Sequence, residues 1–384
     1  MTDTAVRPEA PLAADLHLPA RSRRTQRLLD VLVRSIVPVA LALVAGGLLL
    51  LGLGRNPLHF YGDIWKGGIE QGGWQDSAIR MAPFLLIAAG LTVIFRANIW
   101  NLGYNGQFLL AAAFVSGYGP SLVGDVPLWV AFPVLFLLAG AVGGAWTVVP
   151  ALLKARYGTN EIITTLMMSF IGVDVASILI KGPFHDSTTP LPQTALIPNL
   201  LPNIPRTRIH VGLLVAFAAI LVVHFVLTRT SWGLRLQIMG ANPRAARHFG
   251  ISLPRLIVAS FLVSGALVGL AAAADILGLW GYVRTGQPFN YGDSVIPFVF
   301  LARLNALAVV PFIAFYSVLS TGGDLAASNA NLPTDFLLVL VALILLFMTV
   351  IEYLGRRREL GQSYLTPGLR QALRAPLMRK RGPA

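Results

Sequence analysis

The segment FRANIWNLGYNGQFLLAAAF, residues 95–114, sets Arg96, Asn98, Asn101, Asn105 and Gln107 between two apolar runs. A side-chain amide carries donors and acceptors, and burying it unpartnered costs about 1–3 kcal/mol. At membrane depth such a cluster must bond internally, meet water or meet a polar solute. Gly103 and Gly106 let the backbone bend and approach closely, which frees peptide groups at a helix break. The same residues also suit a solvated turn between two spans, and both readings stand at this stage.

Two further segments carry polar chemistry in apolar surroundings. In YGTNEIITTLMMSFIGVDVASILIKGPF, Asn160 or Thr159 suits a helix N-cap, and Glu161 in the first turn complements the helix dipole. Asp174 falls near the middle of that run, where a carboxylate costs about 2.5–3.5 kcal/mol on insertion scales, and it is expected to face the protein interior. Its possible roles are an internal hydrogen-bond partner, a solute ligand or a proton carrier. The segment GYVRTGQPFNYGDS mixes Tyr282, Phe289 and Tyr291 with Gln287, Asn290, Asp293 and Ser294. These could offer aromatic faces and hydrogen bonds to a sugar or base, although an interfacial aromatic belt beside a capped helix start is the cheaper explanation.

Other chemistry is missing from the sequence. There is no G-x-x-x-x-G-K-[ST] phosphate loop, no cysteine, and no metal-ligand spacing among the six histidines. No nucleophile, base and orienter form a set. The chain is therefore expected to carry no catalytic residue, cofactor or metal, and any nucleotide hydrolysis that drives it belongs to another chain.

The elements that must position these residues are membrane spans. Of 384 residues 55% are hydrophobic and 12% charged, and the mean hydropathy is +0.69. That composition predicts an all-α polytopic bundle of about ten spans, with eight to ten allowed. Apolar runs lie near 36–54, 78–95, 102–119, 128–150, 160–181, 210–228, 256–279, 294–303, 305–320 and 335–353. The runs at 294–303 and 305–320 fall short of a full span and are expected as half-helices or a re-entrant pair. Residues 1–30 and 356–384 are assigned as basic cytoplasmic tails around a transmembrane domain at 31–355. Threading ten crossings with the N-terminus inside places about 23 of the 30 Lys and Arg residues on the cytoplasmic side. Net charge of +13 thus follows topology rather than nucleic-acid binding. Loops 55–76 and 182–209 then lie outside, the second proline-rich and suited to covering the outer mouth. Residues 101–114 and 290–303 both open with Asn, Gly and Tyr before an apolar run. They start on opposite sides of the membrane, as an inverted repeat of five spans would place them.

Between two such runs, Thr228–Arg255 forms a basic, punctuated loop. Asn242 is suited to an N-cap, Pro243 to the first helical position and Gly250 to the left-handed position past the end, which predicts a helix of about two turns. Ala245, Ala246 and Phe249 are expected on one face, with Arg244, Arg247 and His248 elsewhere. Such a helix fits a groove on another protein, while an ordinary positive-inside loop accounts equally well for its charge.

Three of these segments resemble one family, the membrane permease subunits of ABC importers in the branch for simple sugars and nucleosides. FRANIWNLGYNGQF resembles its FRAGLFNIGAEGQF-type motif, NEIITTLMMSFI its NEVISTLMLNYI-type motif, and SWGLRLQIMGANPRAARHFGI its WGLRLRAVGENPRAARYAGI-type cytoplasmic loop. The order is kept, and the likeness spans about 80–350. Arg96, Asn101, Gly103, Gly106 and Gln107 match the first motif, and Asn160 and Glu161 the second. Tyr104 and Asn105 stand where the motif usually carries Ala-Glu, and Asp174 stands where neutral residues are more usual.

The resemblance implies an inner-membrane subunit that pairs with a second permease, a cytoplasmic ATP-binding subunit and an extracytoplasmic solute-binding protein, and that moves a nucleoside or simple sugar inward. Candidate solute-pathway residues are Arg96, Asn98, Asn101, Asn105, Gln107, Asp174, Asn290 and Asp293. Candidate ATPase-docking residues are Arg235, Asn242, Arg244, Ala245, Ala246, Arg247 and Phe249. The alternatives are an ion-coupled secondary transporter using Asp174 and a branched-chain amino-acid permease of the same ABC group.

Overall fold

A computed structural model describes residues 20–359 apart from 288, 290, 334 and 335, with side chains described over 36–355 apart from those four and 71. The chain divides into two units, residues 1–41 with 347–384, and Ala42–Leu346. Of the first unit the described parts are helical, 20–41 and 347–359. Both terminal helices cross the division: α1 is Ala20–Gly52 and α14 is Phe336–Glu359. Helix thus begins at Ala20, inside the stretch assigned to the N-terminal tail, whose remainder lies outside the described residues.

The second unit is a helical bundle. Its members are α2 (Pro57–Gly68), α3 (Gly73–Arg96), α4 (Tyr104–Asp125), α5 (Leu128–Trp146), α6 (Val148–Tyr157), α7 (Glu161–Lys181), α8 (Gly212–Arg229), α9 (Ser231–Ala241), α10 (Pro243–His248), α11 (Leu253–Asp275), α12 (Tyr291–Leu301) and α13 (Val309–Asn329). Among the described residues eight helices are long and apolar enough to cross a membrane. The run at 305–320 belongs to one of them, α13, so the expectation of a half-helix there is corrected. Its neighbour α12 remains short, at 11 residues with Pro297 inside. Two helices were not foreseen. One is α2, within the 55–76 loop, where Asn56 accepts from the Leu58 and His59 amides and Pro57 follows at the first helical position. The other is α9.

Apolar residues surround α3 on every side, and a helix of that kind belongs at the centre of a bundle. It packs on α8, α11, α12 and α13. Small residues bring α5 and α11 together: a Cβ at Gly143 or Gly269 would strike the opposing backbone. Without hydrophobic drive inside lipid, such close approach supplies the packing that holds spans together. A separate cluster of Leu50, Phe60, Ile64, Leu319, Ala326 and Leu340 joins α1, α2, α13 and α14.

The proline-rich 182–209 segment contains no helix, as its prolines dictate. It is stitched to the chain entering α12: the Thr194 amide donates to the Val283 carbonyl at 3.0 Å, Ile197 to Gly281 at 2.9 Å and Leu201 to Leu277 at 2.8 Å. Trp65, Trp74 and Trp129, all near helix ends, are exposed, as interfacial rings are, whereas Trp280 packs against Phe289.

Candidate functional site: two broken helices and a docking loop

The first amide cluster splits into three groups. Asn101 and Gln107 are buried and bond to each other, Gln107 Nε2 donating to Asn101 Oδ1 at 2.9 Å and Asn101 Nδ2 to Gln107 Oε1 at 3.2 Å. Asn101 also donates to Ser264 of α11 and accepts from the Gly103 amide. This clasp satisfies both amides internally, so it holds the break between α3 and α4 rather than facing a solute. From the end of the bundle the connection then turns inward against α7. The Leu102 amide reaches Thr165 Oγ1 and the Gly106 amide reaches Ser169 Oγ, both on α7.

Arg96 and Asn98 lie elsewhere. Arg96 ends α3 with its carbonyl against Gly240, and Asn98 follows in the left-handed conformation at φ 55°. Asn98, Lys154, Arg156 and Arg247 share a cavity of ≈ 630 Å³ at the end of the bundle that carries the 229–255 loop. The structure therefore brings Arg96 and Asn98 to that loop, apart from Asn105.

The third group joins the two sequence segments that open alike. Tyr104 Oη donates to Asp293 Oδ1 at 2.5 Å, and Asn105 Nδ2 donates to Asp293 Oδ2 at 3.2 Å. Gly292 lies so close to the Tyr104 ring that a Cβ there would overlap it. Depth follows from two ring pairs. Tyr291 meets Phe84 at 5.1 Å and Phe300 stacks on Phe95 at 5.0 Å, so α12 runs alongside α3. Asp293 is then level with the middle of α3, and the 11 residues of α12 cover about 16 Å, half of a bilayer core. Asp293 is exposed, Asn105 half-buried and Tyr104 buried. A carboxylate in the first turn of a half-helix, held by neutral donors and open on one side, is equipped to accept hydrogen bonds from solute hydroxyls or amines.

Asn290 lies outside the described residues. The aromatic belt expected around it is corrected: Phe289 is buried and packs with Phe108 and Tyr291 in an interior cluster. Asp174 also departs from expectation. It points outward from α7, exposed, with no hydrogen bond or ion pair among the described residues. Asn160 does cap α7 through the Ile162 amide at 3.0 Å, and Glu161 pairs with Lys154 at 2.7 Å.

Three charged residues were overlooked. Asp275, buried at the end of α11, accepts from Tyr291 Oη at 3.2 Å where the helix widens into a π-turn over Ile276–Trp280. Arg80 of α3 pairs with Asp324 of α13 at 2.8 Å. Arg80 and Asp275 are charges inside apolar runs, so the insertion cost that singles out Asp174 also marks them, whereas Asp324 lies in the polar stretch STGGD beyond the 305–320 run.

In the docking loop, Asn242 Oδ1 accepts from the Arg244 and Ala245 amides at 3.0 and 3.1 Å. Gly250 adopts φ 72°, and the Ile251 amide returns to the Ala246 carbonyl at 3.1 Å while Gly250 reaches Arg247 at 2.9 Å. This pair of bonds is the Schellman closure that the sequence pattern implies. Before it, Thr230 caps α9, so the loop is two short helices about a single asparagine. The expected shared face does not form: Ala246 is fully buried, Ala245 is half-buried, and Phe249, 75% exposed, lies past the helix end. Arg235, Arg244 and Arg247 are exposed.

Helix starts that meet inside a polytopic bundle are an arrangement that membrane transporters use. The chain belongs to the family described as the branched-chain amino acid transport system / permease component, whose model matches residues 75–349. It is 31% identical over 337 residues to the glucose ABC transporter permease protein TsgB13 of Haloferax volcanii, covering 84% of this chain and 88% of that one. It is 28% identical to the guanosine ABC transporter permease protein NupP of Bacillus subtilis, over 84% of this chain and 94% of the relative. The nucleoside ABC transporter permease protein NupB of Lactococcus lactis is 25% identical over 82% of this chain and 90% of its own. No solved structure matches. The chain is thus a multi-pass membrane protein and a transport component.

Proposed function

We propose that the chain forms part of the translocation pathway of an ATP-driven importer for a nucleoside or simple sugar, with the Tyr104–Asn105–Asp293 junction contacting the solute. The single observation that carries this is the exposed Asp293 carboxylate, held at mid-bundle by two neutral donors. Relatives named for glucose, guanosine and nucleosides support the solute class, since all of these present several hydroxyl groups. They do not favour a branched-chain amino acid despite the family's name.

The chain sits in the cell membrane with both termini cytoplasmic, which the basic residues ending α6, Lys154 and Arg156, and the basic 229–255 segment support. Hydrolysis occurs on a cytoplasmic ATP-binding subunit that seats α10 and Phe249 in a groove, with Arg235, Arg244 and Arg247 around it. An extracytoplasmic binding protein delivers solute, and a second, non-identical permease subunit completes the pathway. The test is ATP-dependent uptake of labelled guanosine and glucose into vesicles holding the assembled complex. Uptake of either, abolished when the ATP-binding subunit is omitted, supports the reading. Uptake that persists without that subunit and collapses with an ionophore overturns it.

A further inference from the structure

One carboxylate finds no use in the pathway described above. Asp174 lies about 20 Å along α7 from Glu161, well inside the hydrocarbon core, and points out of the bundle. On α7 the residues Thr165, Ser169, Gly172, Ala176 and Ile180 are buried. Of these, Ser169 and Gly172 lie against Gly106 of α4. Their spacing of four, three, four and four defines a single face. Asp174 projects opposite that face, in the middle of an exposed stripe of Ile163, Met167, Phe170, Ile171 and Ile178.

Lipid cannot cover this stripe cheaply. A carboxylate at mid-membrane is tolerated where a protein donor or cation meets it, and this chain supplies neither among its described residues. A second copy of the chain fits poorly, because a two-fold axis along α7 would oppose two carboxylates. We propose that the outward face of α7 is the seam with the second, non-identical permease subunit, and that this subunit presents a cationic or amide donor to Asp174. The inference rests on the two-permease reading above. In it Asp174 sets which subunit pairs with this one: the charge is satisfied against the right partner and left bare against lipid or a second copy.

The exposure of the stripe makes a direct test simple. p-Benzoylphenylalanine replaces Phe170, Ile178 or, as a control, Phe225 on the exposed side of α8, in the complex co-expressed with its partner subunits. Photolysis is expected to join positions 170 and 178 to the second permease, with only lipid adducts from 225. In the same preparation D174L should lower the copurified second permease about tenfold, while D174N, which keeps the shape and one acceptor oxygen, retains most of it. Lipid adducts alone at 170 and 178, adducts between two copies of this chain, or unchanged copurification in D174L would overturn the seam. Should the wild-type complex hold no second permease, the two-permease reading falls as well. An intact pair that shows none of these cross-links overturns the seam alone.

Discussion

Tyr104 and Asp293, 189 residues apart in the chain, meet through a 2.5 Å hydrogen bond between the first turns of α4 and α12. Asn105 holds the second carboxylate oxygen of Asp293. The usual family motif carries Ala-Glu at the positions of Tyr104 and Asn105. Replacing Asn105 with Glu would set a second carboxylate against that of Asp293. Uptake in N105E should fall sharply and recover in the double variant N105E/D293N, which restores one carboxylate and one amide. Equal loss in both variants would show that the pair does not act as a unit.

Gly292 allows α12 to close on the Tyr104 ring. In G292A the added methyl must displace the ring or the helix, so the junction opens. Overpacking of this kind costs about 1–3 kcal/mol, and a lower unfolding temperature in detergent with weakened uptake is expected. Full stability in G292A would mean that the ring gives way freely.

The docking loop separates stability from coupling. N242A removes the acceptor of two amides and should cost about 1 kcal/mol of local stability, read as faster amide exchange in α10. F249E changes a side chain that is 75% exposed. It should leave folding and insertion intact while solute-stimulated ATP hydrolysis drops about tenfold or more. The buried Ala246 is the poorer probe, since a charge there would disrupt the loop itself.

His210 gives the chain a pH response. Its ring is 1% exposed beside Gly278, and burial pushes its pKa down to about 4, outweighing an opposing contact with the Ile79 backbone. The unfolded chain takes up a proton near pH 6.5, whereas the folded chain resists until about pH 4. Stability is therefore full above pH 6.5 and declines as pH falls towards 4, by up to about 3 kcal/mol. Thermal unfolding of H210F across that range should be flatter than that of the natural protein. Parallel slopes would assign the acid sensitivity to other groups.

The helical class and most spans were legible because apolar runs near 20 residues have few alternatives in a bilayer. The α10 caps were equally legible: Asn242, Pro243 and Gly250 act through local backbone geometry. What the sequence hides is direction. Asn101 and Asn105 are four residues apart in one motif, yet one closes an internal clasp and the other reaches across to Asp293. Only packing against α7, α11 and α12 separates them. The same limit applies to Asp174, whose cost at mid-span is plain from the sequence. Which side of α7 it occupies depends on where the glycines of α4 and α7 meet. Ala246 and Phe249 looked like one surface by helical spacing, but the helix ends at His248 and leaves Phe249 beyond it.

The role of the Asp293 junction is tested most directly by ATP-dependent uptake in vesicles carrying the assembled complex, comparing the natural chain with D293A across solute concentrations. The account predicts intact assembly and basal ATP hydrolysis with at least a tenfold loss of uptake efficiency, about 1.4 kcal/mol. Unaltered uptake in a fully assembled D293A complex would contradict it.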